Sequence, residues 1–128
     1  MLKRITVWLF ALMLAAAPAC SGASEADAPG VQVIPAPGMV TMVDIGADRC
    51  IPCKMMAPII EEVREEYQGR AVVAFVDVWK YPERAKPFGI SVIPTQIFYD
   101  ATGREALRHE GFMDKDAIVK VFRRLGVK

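Results

Sequence analysis

From residue 39 onward the apolar positions follow two different periods. Met39-Val40-Thr41-Met42-Val43-Asp44-Ile45-Gly46 is a nearly unbroken apolar run, the pattern of a mostly buried strand. Behind it Met56, Ile59, Ile60, Val63 and Tyr67 recur at helical spacing, which predicts an amphipathic helix over 53–68 with Gly69 as its stop. Residues 71–78 form a second apolar run, suited to a central parallel strand. Residues 79–89 are polar and helical or turn-like, with Pro82 admissible in a first helical turn. Residues 91–99 read as a strand led in by Pro94, 100–103 as a turn, and 105–109 as the return strand of a hairpin. Ile118, Val121, Phe122 and Leu125 share one face of a last helix, capped by Asp114 and ended by Gly126. Acidic residues open that helix and Arg123-Arg124 close it, matching the macrodipole. Strand, helix, strand, hairpin and helix in that order predict an α/β fold: a central mixed β-sheet flanked by helices on both faces.

The chain before residue 39 follows neither period. Lys3-Arg4 precedes an apolar stretch from Ile5 to Ala17, and small residues follow at Ala17-Pro18-Ala19. That stretch is shorter than the roughly 20 residues a spanning helix needs, so residues 1–19 read as a secretory signal peptide. Residues 20–38 shift to Ser, Ala, Gly and Pro, too little apolar surface to offset chain entropy, and read as a flexible tether; Val31 to Ile34 is compatible with a short strand. Residues 39–128 are the expected folded domain. With 128 residues, 53% hydrophobic and 24% charged, one globular domain is the upper bound, and a net charge of +1 carries no sign of nucleic-acid binding.

The chemistry centres on Arg49-Cys50-Ile51-Pro52-Cys53-Lys54, where a strand hands over to a helix. The first turn of a helix presents unpaired N–H groups and about half a positive charge, which favours a thiolate. A cysteine thiol near 8.5 is lowered to about 3.5–7.5 in such a setting. Cys50 is therefore the expected nucleophile and Cys53 the resolving thiol, with Arg49 and Lys54 adding cationic neighbours. A purely structural bridge between them would close a tiny loop and remove little unfolded-state entropy. A zinc site needs about four ligands, and only His109 and Cys20 remain to complete one, so no metal is expected. Dithiol–disulfide exchange is the natural reading. Cys20 is then the odd thiol of an exported chain, and small residues followed by cysteine resemble the lipobox of bacterial lipoproteins. Ala17 stands where Leu is usual and Pro18 is an uncommon neighbour. Lipidation of Cys20 is the expectation, with ordinary signal cleavage after Ala19 or Ala23 as the alternative.

Taken together these residues resemble the thioredoxin family. Val43-Asp44-Ile45, then Cys50-Ile51-Pro52-Cys53-Lys54-Met55-Met56-Ala57-Pro58, then Ile93-Pro94-Thr95 and Gly111-Phe112, are similar to its strand, active site, cis-proline loop and C-terminal portion. The resemblance implies a thioredoxin-like fold and a protein-disulfide reductase without a cofactor. In that reading Cys50 forms a mixed disulfide with substrate, Cys53 resolves it, and Asp44 is the buried acid beneath them. Pro94 follows a cis bond, and its loop pairs with an extended substrate segment. Arg49, Ile51, Pro52, Ile93 and Thr95 are the implied substrate contacts. Arg49 and Ile51-Pro52 depart from the family's Trp and Gly-Pro, and the lysine that neighbours the buried acid falls at Val73. The arrangement looks like that of exported, membrane-tethered relatives. It implies protein disulfide or dithiol substrates, a membrane thiol transporter as electron donor, and a periplasmic, lipid-anchored place in the cell envelope. The alternative is a membrane-tethered binding module or chaperone of the same fold without redox turnover. Met55, Met56, Trp79 and Tyr81 read as core or rim packing.

Overall fold

The structure, a computed structural model, describes residues 33–128. The expected signal peptide, Cys20 and most of the tether lie outside the described residues. The first strand, β1 (Thr41–Gly46), is buried along its whole length. It leads through a short turn into α1 (Ile51–Glu66), then β2 (Val72–Asp77) and the single-turn α2 (Pro82–Ala85). A 3-10 turn at Lys86–Phe88 follows, then the hairpin β3 (Thr95–Tyr99) and β4 (Glu105–Glu110), and finally α3 (Lys115–Arg124). Pro82 occupies the first turn of α2, where its missing N–H has no intrahelical partner to lose.

The strands lie in the order β2-β1-β3-β4, with β1 and β2 parallel and the other pairs antiparallel. Alternation along β1 divides the interior in two. Met42 points into a cluster with Met56, Ile60, Val63 and Tyr67 of α1, Phe98 of β3, and Ile118, Val121 and Phe122 of α3. Val43 and Ile45 point the other way, to Ala74, Val76, Ile97 and Ala85 of α2. The helical period expected over this stretch is met: Met56, Ile60, Val63 and Tyr67 are buried, and Ile59 is half-buried. At the head of α3 the Asp114 carboxylate accepts from the Ala117 N–H at 2.8 Å, and Gly126 turns the chain out at φ 87°.

Several expectations are corrected. Among the described residues β2 is an edge strand, not a central one. Helices cover both of its faces, α1 on one and α2 on the other, so its apolar run reports coverage and not position in the sheet. Arg64 Nε donates to the Val73 carbonyl of this edge at 3.0 Å. α1 begins at Ile51, two residues before Cys53. Pro52 fits there because the first helical N–H groups are unpaired in any case. The third strand starts only after Pro94, residues 91–94 being bends. Residue Ile34, read as tether, packs against the cluster behind β1, and Ala36 N–H donates to Thr41 Oγ1 at 3.0 Å. Residues 33 and 34 are not in a strand.

Candidate active site

The site is built at the end of β1. Cys50 N–H bonds back to the Ala47 carbonyl at 3.2 Å, closing a turn that delivers Cys50 to the N-cap of α1. Its backbone is extended (φ −83°, ψ 123°), and its sulfur accepts the Cys53 N–H at 3.3 Å. The cysteine thus does what Ser or Asp does at an ordinary N-cap. Cys53 lies one turn inside, 4% exposed, whereas Cys50 is half-buried. Their Cα atoms are 5.2 Å apart and the sulfurs are joined as a disulfide. The thiol placed to meet a partner is Cys50.

The turn is held by a residue that pattern reading did not single out. The buried Asp77 carboxylate, at the end of β2, accepts the N–H groups of Asp48 (3.3 Å), Trp79 and Lys80 (2.9 Å each). Burial pushes this carboxyl up, but the three N–H bonds bring it net below its ordinary value. Asp77 ties the loop after β1 to the loop after β2, and so fixes the approach to Cys50. Lys80 adds ion pairs to Asp77 and Asp48. Gly46, also passed over by pattern reading, borders Cys53. A Cβ built on it would stand 3.2 Å from Cys53 Sγ and 3.2 Å from the Phe75 ring. The only signal for either was an acid or a glycine at the end of an apolar run.

Two residues before Gly46, and so on the same face of β1, Asp44 is 1% exposed. Burial raises its carboxyl from 3.8 to about 6, against the lowering pull of a hydrogen bond from Gln96 Nε2 at 2.8 Å. A carboxyl in that range exchanges protons near neutral pH. The residue facing Asp44 across the β1–β2 ladder is Phe75, not Val73. Side chains on one face of a strand recur every second residue, so Val73 lies on the same face but one pair back, opposite Met42. Phe75 is partly exposed, and with Ala47, Cys53, Lys54 and Ala57 it lines a groove behind the resolving thiol.

On the other side stands the loop before β3. The peptide bond between Ile93 and Pro94 is cis, and Pro94 is buried. The Pro94 carbonyl accepts the Gly111 N–H at 2.7 Å, and Thr95 Oγ1 donates to the Val92 carbonyl at 2.6 Å. Thr95 is fully buried, so its side chain braces the loop and is out of reach of a partner. Ile93 is half-buried, and Arg49, Ile51 and Pro52 are exposed. Met55, Val92 and Phe112 are exposed as well, as are Trp79 and Tyr81, whereas Met56 is core and accepts the Met113 N–H on its sulfur at 3.3 Å. Among the described residues no group of three His, Cys, Asp or Glu side chains is placed to hold a metal ion, and no helix is long and apolar enough to cross a membrane.

A dithiol pair at a helix N-terminus, at the end of a strand in a mixed α/β sheet, defines a class of thiol–disulfide exchange proteins. The comparisons agree. The thioredoxin family model matches residues 31–124. A thioredoxin of Chlamydia muridarum is 38% identical over 86 residues, covering 67% of this chain and 81% of that protein. A thioredoxin of Staphylococcus aureus is 35% identical over 82 residues, covering 64% and 78%. The crystal structure of chloroplastic thioredoxin z superposes with a TM-score of 0.62 at 30% identity, over 71% of this chain and 81% of that one. The chain belongs to the thioredoxin family. It is a thiol–disulfide oxidoreductase whose redox pair is Cys50–Cys53, and its substrates are protein disulfides.

Proposed function

We propose that the protein reduces protein disulfides in the cell envelope, tethered to a membrane through a lipid on Cys20. The observation that carries the reaction is the contrast between Cys50, half-buried at the helix N-cap, and Cys53, buried one turn inside. In the reduced form the unpaired N–H groups of the first turn stabilise a Cys50 thiolate. That thiolate attacks one sulfur of the substrate disulfide and expels the other as a thiolate, leaving a mixed disulfide. Asp44 takes the proton of Cys53, and the Cys53 thiolate attacks Cys50 Sγ. The second substrate thiol leaves, and the two electrons have passed to the substrate. The backbone of the loop at Ile93 and Pro94 pairs with the substrate segment, with Arg49, Ile51 and Pro52 at its rim. A membrane thiol transporter of the envelope returns the electrons.

The deciding experiment equilibrates Cys50–Cys53 with glutathione. A potential near the reducing end for this fold, about −270 mV, is expected; one near −120 mV would assign an oxidant instead. With the pair reduced, alkylation at mildly acidic pH should modify Cys50 well before Cys53, and equal rates would contradict the helix-terminus argument. For the tether, Cys20→Ser should release the protein from the membrane fraction or block its processing. An unmodified mature chain would remove the lipid anchor from this reading and leave the redox chemistry in place.

A further inference from the structure

The side chains of Phe75, Asp44, Gln96 and His109 form one row across the sheet, each opposite the next in register. Gln96 is 0% exposed, on a face otherwise packed with Met42, Phe98 and Phe122. A glutamine in such a place needs partners for both ends of its amide. Its Nε2 donates to Asp44 Oδ1 at 2.8 Å, but its Oε1 is buried and has no donor, alone in this among the buried side-chain polar atoms of the described residues. His109 does not serve it. Its Nε2 lies 3.1 Å from the Phe112 carbonyl, which only accepts, so that nitrogen carries the hydrogen. Neither ring nitrogen is a hydrogen-bond partner of Gln96 Oε1.

We propose that Gln96 is a positioning residue for the active-site acid: its amide presents NH2 to the ionised Asp44 and turns its carbonyl to Asp44 when that carboxyl is protonated. The pairing is chemically reciprocal. A carboxylate has no hydrogen to give and requires a donor, which the NH2 edge supplies. A protonated carboxyl is a strong O–H donor, and the orphaned Oε1 is the acceptor that fits it. Either orientation keeps one hydrogen bond to Asp44, so both charge states of the acid are held in the same place on the strand.

The remaining groups leave this task to Gln96. On β2 the residue beside Asp44 is Phe75, without charge, and Asp77 lies at the strand end held by three backbone N–H groups. The charged residues of α1 that line the groove beside Phe75 are Lys54, Glu61 and Arg64; Arg64 is bound to Glu61 and to the Val73 carbonyl. On α3 Lys115 is paired with Glu62 and Glu66. Burial and the Gln96 amide are the two influences on the Asp44 carboxyl.

This proposal rests on Asp44 as the acid–base group, and its test reads Asp44 without turnover. In the full chain the Asp44 carboxyl carbon and the Gln96 side-chain amide are followed by NMR across pH 4–9. The amide resonances should move with the same midpoint as the carboxyl, and Asp44→Asn should abolish their movement. Gln96→Leu and Gln96→Met keep the volume and remove the amide, and each should raise the Asp44 midpoint by about one pH unit. Amide resonances that ignore the Asp44 titration, or a midpoint unmoved in both variants, would overturn the proposal. The resolution rate of the mixed disulfide, measured separately, should rise with pH through the Asp44 midpoint. If the midpoint moves and that rate does not follow, Gln96 still positions Asp44, but Asp44 is not the base for Cys53.

Discussion

Burial of the Asp44 carboxyl has a consequence for stability. Its carboxyl titrates near 3.8 in an unfolded chain and at about 6 when folded. Between those values the folded state holds a proton that the unfolded state has lost, so stability falls as pH rises through this window. The penalty levels off at about 3 kcal/mol near pH 7 and fades as pH drops below 4. Asp44→Asn should therefore be more stable than the parent chain in urea unfolding at pH 7, and indistinguishable from it near pH 3.5. Resolution of a mixed disulfide should slow in the same variant. A stability gap that persists at low pH would mean the side chain is held for packing and not tuned by burial. A second case at this scale is Thr95, a substrate contact only by what the family resemblance implies. Its full burial and its bond to the Val92 carbonyl make it a brace.

At the scale of elements, the site depends on how closely α1 can approach β1. Gly46 supplies that closeness, because any side chain there meets Cys53 and Phe75. Gly46→Ala asks its neighbours to give a few tenths of an ångström. Gly46→Val should cost about 1–3 kcal/mol by overpacking and change the relative alkylation rates of the two thiols. A Gly46→Val protein with parental stability and thiol reactivity would show that this corner is looser than drawn. α3 is a contrast. It contributes Ile118, Val121 and Phe122 to the core and none of the residues of the redox site. Removing its cap by Asp114→Ala should cost about 1 kcal/mol in chemical unfolding and leave Cys50 alkylation unchanged.

For the molecule as a whole, Phe122 joins the parts. Its ring meets Tyr67 of the α1 C-cap edge-on at 4.9 Å and Phe98 of β3 at 5.9 Å, so both large helices and the sheet share one aromatic cluster. Phe122→Ala should cost about 3–5 kcal/mol in calorimetry or denaturant titration, and a loss under about 1 kcal/mol would place the joint elsewhere. The second cluster, behind β1, is smaller and is closed by the short α2 and by Ile34. The active site sits where β1 and β2 both end, so its parts come from separate stretches of chain that the sheet brings side by side.

What the residue pattern settles by itself is local. The α1 and α3 periods, the cap at Asp114, the Cys-x-x-Cys at a helix start and the hairpin about the turn at 100–103 are legible because each depends on neighbours a few positions away. The mixed sheet and the family follow from those pieces taken in order. Only the tertiary structure decides that β2 is an edge among the described residues, since helices bury an edge strand as well as a central one. It also decides that Phe75 stands beside Asp44, because register depends on how two distant strands slide against each other. The same holds for Asp77, Gly46 and Gln96. Each is an unremarked residue in one dimension, and becomes part of the site through contacts with residues 7 to 52 positions away. Local preference cannot encode such contacts; the packing of the whole chain creates them.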